Sequence, residues 1–277
     1  MSKDLNKVYE KLDSEIFNEI IEKNFYKKEP RAYLFENSRK LLENGYFYEA
    51  HILLQSTWNI GYYRYHQDEI LKKLEDKNEK EELKNNKGEL NNFKREKELI
   101  KKLQEQRYTF KTIPLEDENA SDVINNIKEL YKIYYDKFGF TGATKAMALE
   151  LPYLFVMWDN LIVNIIFDNL NKNCSKFEDC RNKIKNYCME KKFEFKSIHI
   201  ERKYKQEKED KADYLSELYV EFLKVMKATF EGFMDIDIEN PEEYIYDSNN
   251  RPLAKKIDEF NYSVITINLK KNKEDDN

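Results

Sequence analysis

Glycine and proline are scarce in this chain, at six and five among 277 residues. So few turn-formers exclude architectures made of many tight turns, and exclude glycine-rich cradles for phosphate. Cysteine is scarcer still, confined to Cys174, Cys180 and Cys188. An odd number at those spacings neither closes a disulfide framework nor repeats the paired CxxC of a zinc site. His51, His66 and His199 are the only histidines, too few for a histidine-rich metal centre. No apolar run reaches the roughly eighteen residues a spanning helix needs. The opening MSKDLNKVYEKLDSEIF has neither the apolar core nor the cleavage site of a secretory signal. The expectation is a reduced, cytoplasmic protein with no membrane partner, no metal and no cofactor.

What the chain has is charge and aromatic mass. Charged residues make up 36% and aromatics 14% of it, with 40% hydrophobic overall. That apolar content can enclose a core, and the length suits one large domain, expected over 1–270 with a disordered tail at 271–277. The net charge of −5 excludes a uniformly basic coat. Locally the balance differs: residues 171–206 hold eleven Lys or Arg, including Lys183, Lys185, Lys191 and Lys192, against five acids. This stretch reads either as a phosphate-facing patch or as a solvated helix face. Residues 67–106 hold eleven acids and eleven bases. They read as a charged helical hairpin, broken at NNKG, inserted into the main domain.

Apolar residues recur at helical spacing elsewhere. Leu34, Leu41 and Leu42 precede Gly45, which suits a left-handed helix cap; Phe47, Ala50, Leu54, Trp58 and Tyr62 then form a second stripe. Ser121 is positioned as an N-cap before Ile124, Ile127, Leu130, Tyr131, Tyr134 and Phe138, with Gly139 at the end. A further helix is expected over ADYLSELYVEFLKVMKATFEGF. The fold class is mainly α. The β-branched alternation in FNYSVITINL predicts one strand, pairing with FEFKSIHI in at most a two-stranded element. DIDIEN, from Asp235, lacks the glycine and the closing glutamate of a calcium loop. Arg64-x-His66 has the wrong spacing for an Arg-x4-His ribonuclease toxin.

The stretch GFTGATKAMALELPYLFVMWDNLI, residues 139–162, sets one lysine, Lys145, and one aspartate, Asp159, in apolar surroundings. Gly142 and its small neighbours can make a tight hairpin. A helix carrying Lys145 follows, Pro152 stops it, and Asp159 sits where the next helix would be capped. This order, of helix, glycine hairpin, lysine-bearing helix and aspartate-capped helix, resembles the helix-hairpin-helix DNA glycosylase superfamily over about Gly45 to Leu170. The resemblance implies a helix-hairpin-helix glycosylase-like domain with DNA as partner. Thr141, Gly142, Ala143 and Thr144 would grip a phosphate through backbone N–H groups, Lys145 would attack the sugar C1′, and Asp159 would assist. The hairpin here has one glycine where the family has two, and the link from lysine to aspartate is shorter. The TK, proline and F-x-x-W-D pattern is closer to divergent relatives without an established activity.

The residues support two readings of the pair. A lysine desolvated against Ala146, Leu149 and Phe155 would have a depressed pKa and serve as a neutral amine nucleophile, with Asp159 stabilising positive charge on the sugar. Alternatively, Lys145 reaches solvent from an amphipathic helix and Asp159 only caps its own. The corresponding functions are a base-excision glycosylase/lyase-like enzyme and an inert helical module that binds nucleic acid or a protein. Composition does not fix an oligomeric state.

Overall fold

The computed structural model describes residues 12–26, 31–79, 87–117, 120–159, 162–163, 208–235 and 251–267. These are mainly helical: α1 (Ser14–Ile20), α2 (Ala32–Glu43), α3 (Phe47–Trp58), α4 (Ile60–Glu79), α5 (Lys87–Glu105), α6 (Ser121–Glu150), α7 (Lys208–Thr229) and α8 (Leu253–Asn261). α1 and α8 each run on into a π-helical turn, at Ile21–Tyr26 and Tyr262–Ile267. No strand occurs among the described residues. The basic segment bearing Lys183, Lys185, Lys191 and Lys192, the cysteines, FEFKSIHI and the tail all lie outside them.

α6 is the central element, packed on by α2, α3, α4, α5 and α7. Its anticipated apolar stripe is buried at Ile127, Leu130, Tyr131, Tyr134 and Phe138. The cap is one residue earlier than Ser121: Ala120 stands at the N-cap and gives no side-chain bond. At the other end Arg39 donates to the carbonyls of Leu149 at 2.7 Å and Glu150 at 3.3 Å, supplying partners that the last helical turn lacks.

The joint between α2 and α3 is as the sequence suggests. Gly45 has φ +83, its N–H donates to the Leu42 carbonyl and the Tyr46 N–H to that of Leu41, the paired bonds of a Schellman cap. Within the charged stretch, 67–79 and 87–105 are helical, in α4 and α5, and each helix packs on α6 instead of projecting into solvent. Ile70, Leu74, Leu99 and Leu103 are buried, and the ion pair of Lys137 with Glu96 lies between α6 and α5 with both side chains enclosed.

The C-terminal expectation was a strand, and this is corrected. Phe260 and Asn261 end α8, and Tyr262–Ile267 continue as a π-helical turn. Burial explains the misleading pattern. Phe260, Asn261, Ser263, Val264 and Ile265 are buried and Tyr262 is half-buried, so little of 260–265 meets water to impose a helical period, and β-branched residues fit an enclosed helix.

Gly139 breaks α6 internally, with φ +71 and ψ −173, a region open essentially to glycine alone. A Cβ there would meet Tyr62 Cε2 at 2.6 Å, whereas one at Gly45 would meet nothing within 4 Å. Gly139→Ala should therefore lower the unfolding free energy by about 1–3 kcal/mol from backbone strain alone, with the ring clash added. Gly45→Ala should lose only the left-handed penalty of about 1–2 kcal/mol. Urea unfolding of the two variants checks the order.

Candidate functional site

The turn in this region is at Gly139, three residues before the place the sequence suggested. Thr141, Gly142, Ala143 and Thr144 are not an exposed hairpin but the opening of the second half of α6, and Gly142, Ala143 and Thr144 are buried. Gly142 is small for a packing reason: a Cβ would meet Asn59 Nδ2 at 2.6 Å and Gln55 Oε1 at 2.7 Å. Those two side chains serve the kink itself. Asn59 donates to the Phe138 carbonyl at 3.1 Å and Gln55 to that of Gly142 at 3.2 Å, so α3 holds both sides of the break.

Beyond Glu150 the chain runs from Leu151 to Asp159 without regular structure, yet Leu151 to Trp158 are buried. Backbone groups so enclosed need partners. The Tyr153 carbonyl accepts from the Phe110 N–H at 2.8 Å, the Val156 carbonyl from the Tyr219 hydroxyl at 2.9 Å, and the Trp158 N–H donates to Thr144 Oγ1 at 3.2 Å. The Met157 N–H donates to Asp258 Oδ1. The Trp158 ring stacks on Phe140 at 4.7 Å and meets Tyr219 and Phe222 edge-on, and its indole N–H donates to the Phe140 carbonyl at 3.2 Å.

This path delivers Asp159 to the same pocket as Lys145. The cavity, of about 80 Å³, is lined by Phe25, Arg31, Trp58, Lys145, Met157, Trp158, Asp159, Ile162, Lys255, Asp258 and Tyr262. That is several times the roughly 10–15 Å³ one water needs. Asp159 caps the following turn, its Oδ1 accepting from the Ile162 N–H at 2.8 Å. Lys145 donates to the Trp58 carbonyl, at the C-terminal end of α3, and makes no direct ion pair with Asp159 among the described residues. Burial pushes the Lys145 ammonium down to about 8; Asp159 opposes that shift, and Arg31 adds to it.

One wall is aromatic. Phe25 and Trp58 stack at 6.0 Å, Tyr262 meets Trp58 edge-on at 5.6 Å, and the Arg31 guanidinium lies 5.1 Å over the Trp58 ring. Arg31 is held by the Thr57 carbonyl at 3.0 Å and the Tyr262 hydroxyl at 3.1 Å. α8 also lines the cavity, supplying Lys255 and Asp258. Burial holds the Asp258 carboxyl well above the usual range, with Lys255 and the Met157 N–H acting against that rise.

Sequence reasoning missed Arg31, Lys255, Asp258 and Tyr262, and met Trp58 only as part of an apolar stripe. The α8 pair lies just before the segment expected as a strand and drew no reading; the i, i+3 spacing of Lys255 and Asp258 was the available signal. No group of three or more His, Cys, Asp or Glu suited to a metal occurs among the described residues, and no helix there is long and apolar enough to cross a membrane. Comparison with family models, curated proteins and solved structures finds no match.

Burying Lys145 has a measurable consequence for stability. Between pH 8 and its ordinary 10.5 the unfolded chain holds this proton and the folded chain does not, so stability rises with pH across that window. Below pH 8 the enclosed ammonium opposes folding by on the order of 3 kcal/mol. Lys145→Met should accordingly be at least as stable as the parent at pH 7, with the difference shrinking toward pH 10 in urea titrations. A large loss of stability at pH 7 would make Lys145 a structural residue.

Proposed function

We propose that this chain is a DNA base-excision protein of the glycosylase/lyase type, with Lys145 as nucleophile and Asp159 as its electrostatic partner. The observation that carries the reading is that both side chains line one aromatic-walled pocket, with the amine drawn down to about 8. At that value an appreciable fraction of the amine is neutral near pH 7–8, as nucleophilic attack requires. In the step, the Lys145 lone pair forms a bond to C1′, the C1′–N bond breaks, and the base leaves with that electron pair and takes up a proton. The Asp159 charge lowers the energy of the positive charge that develops on the sugar. Opening of the sugar ring with loss of an amine proton gives an imine.

The burial of Gly142, Ala143 and Thr144 assigns no exposed phosphate grip to that turn. In this reading attraction for DNA falls to the basic stretch with Lys183, Lys185, Lys191 and Lys192. Neutralising all four should weaken DNA binding and reduce its logarithmic salt slope by about one unit per lysine. Unchanged binding would reduce that stretch to a solvated face.

A second reading has observations of its own: Lys145 is bonded to the Trp58 carbonyl and Asp159 caps a helix turn, which is all an inert module needs. Borohydride separates the two. Duplexes carrying abasic sites, oxidised purines or alkylated bases, incubated with the protein and reduced, should give a covalent adduct that Lys145→Gln abolishes. Trapping should rise with pH through about 8, and Asp159→Asn should move that rise to lower pH, because the carboxylate holds the proton on the amine. If no lesion yields an adduct or releases base, the chemistry is withdrawn and the inert module stands.

A further inference from the structure

Three cationic side chains line the cavity, Arg31, Lys145 and Lys255, and the acids among its described lining are Asp159 and Asp258. Those two do not balance the three. Asp159 has Oδ1 committed to the Ile162 N–H. Asp258 is 4% exposed, and burial holds its carboxyl well above the usual range, toward the neutral acid. Its Oδ1 accepts from the Met157 N–H, so a proton kept by this carboxyl sits on Oδ2 and makes that oxygen a donor. Oδ2 has no hydrogen-bond partner among the described residues.

The other polar groups of the lining also donate. The Trp58 indole N–H is enclosed and has no acceptor among the described residues, although its ring lines the cavity. An enclosed donor left unmet disfavours the folded state, and native proteins keep few of them. The Lys145 ammonium gives one of its three N–H bonds to the Trp58 carbonyl. The Lys255 ammonium stands 4.0 Å from Asp258 and 3.9 Å from Glu259, beyond hydrogen-bond length for either. Arg31 already serves Thr57 and Tyr262 through its terminal nitrogens, so it brings charge to the cavity more than donors. A lining with both positive charge and donors in excess is matched by a ligand that carries negative charge and only acceptors. The volume of about 80 Å³, several times the room of one water, suits a group of a few heavy atoms.

We infer that this cavity is a binding site for a small free oxyanion, a carboxylate or inorganic phosphate, held by Lys145, Lys255 and the Trp58 indole N–H. Such an ion meets the enclosed indole donor and offsets the surplus of cations at once, which a water molecule does only in the first respect. An anion seated there keeps the proton on Lys145. The site needs none of the base-excision chemistry. Where that chemistry operates the anion opposes it, filling the pocket and withholding the neutral amine.

The chain has two tryptophans, Trp58 and Trp158, and both line the cavity, so binding is read from tryptophan fluorescence of the full chain. The probes are sodium formate, sodium acetate and sodium phosphate, each titrated with sodium chloride holding the ionic strength constant. A saturable change is expected, and the order of the planar carboxylates against phosphate says which oxyanion fits. Affinity should fall as pH rises through about 8, where Lys145 gives up its proton. Lys255→Gln should weaken binding by about tenfold or more, the loss of a charge-assisted bond, and Trp58→Phe, read through Trp158, by about threefold. Lys101→Gln, exposed on α5, should leave it unchanged. The parent titration needs no variant to fold, and no saturation with any of the three probes overturns the inference. So does saturation that Lys255→Gln and Trp58→Phe leave unchanged, or that Lys101→Gln weakens equally, since attraction is then spread over the surface. Borohydride trapping bears on the base-excision chemistry alone: oxyanion binding without any adduct sinks that chemistry and keeps the site, and an adduct from a chain that binds no oxyanion does the reverse.

Discussion

Much of this structure follows from one requirement: nine residues of irregular chain, Leu151 to Asp159, run through the interior and their backbone groups must be satisfied there. Helices and sheets meet that demand within themselves; a loop cannot. The bonds come from four separate places, the Phe110 amide, Thr144 on α6, Tyr219 on α7 and Asp258 on α8. Those four elements are thereby tied to one strip of backbone, and the pocket lies where the strip ends. Arrangement of the site and closure of the core are the same event.

The kink at Gly139 belongs to this scheme. A straight α6 would carry Lys145 along the line set by Tyr131 and Tyr134. The break redirects the second half, and Gln55 and Asn59 occupy the carbonyls beside it. α3 thus supports the site twice, since its last carbonyl, that of Trp58, also receives the Lys145 ammonium. An ammonium at the C-terminal end of a helix is favoured by the partial negative charge there. Burial outweighs that favour, and the amine stays easier to deprotonate than an exposed lysine.

Legibility in the sequence tracked the presence of a solvated face. Where one side of an element meets water, as in α3 or the first half of α6, apolar spacing gave the helix and its inward residues, and Gly45 announced the cap of α2. Lys145 and Asp159 stood out because ionisable groups are rare in so apolar a stretch, and both do line one pocket. The signal failed where everything is enclosed. Thr141 to Thr144 look like a turn because they are small, but Gly142 is small to admit Gln55 and Asn59. FNYSVITINL alternates like a strand, and its first six residues, Phe260 to Ile265, are buried but for a half-buried Tyr262. Lys255 and Asp258 drew no reading from the sequence, although both are buried.

The bond from the Met157 amide to Asp258 joins residues 101 positions apart. Its consequence is one of timing. During synthesis, or on dilution from denaturant, α3 and α6 can pair early through local contacts, but the strip ahead of Asp159 keeps an unmet amide until the end of the chain arrives. A chain stopped before α8 has neither the carboxylate that fixes Met157 nor the aromatic wall given by Tyr262, and its Lys145 stands nearer to water. The lowered pKa of that amine is thus a property of the assembled pocket and needs α8 in place.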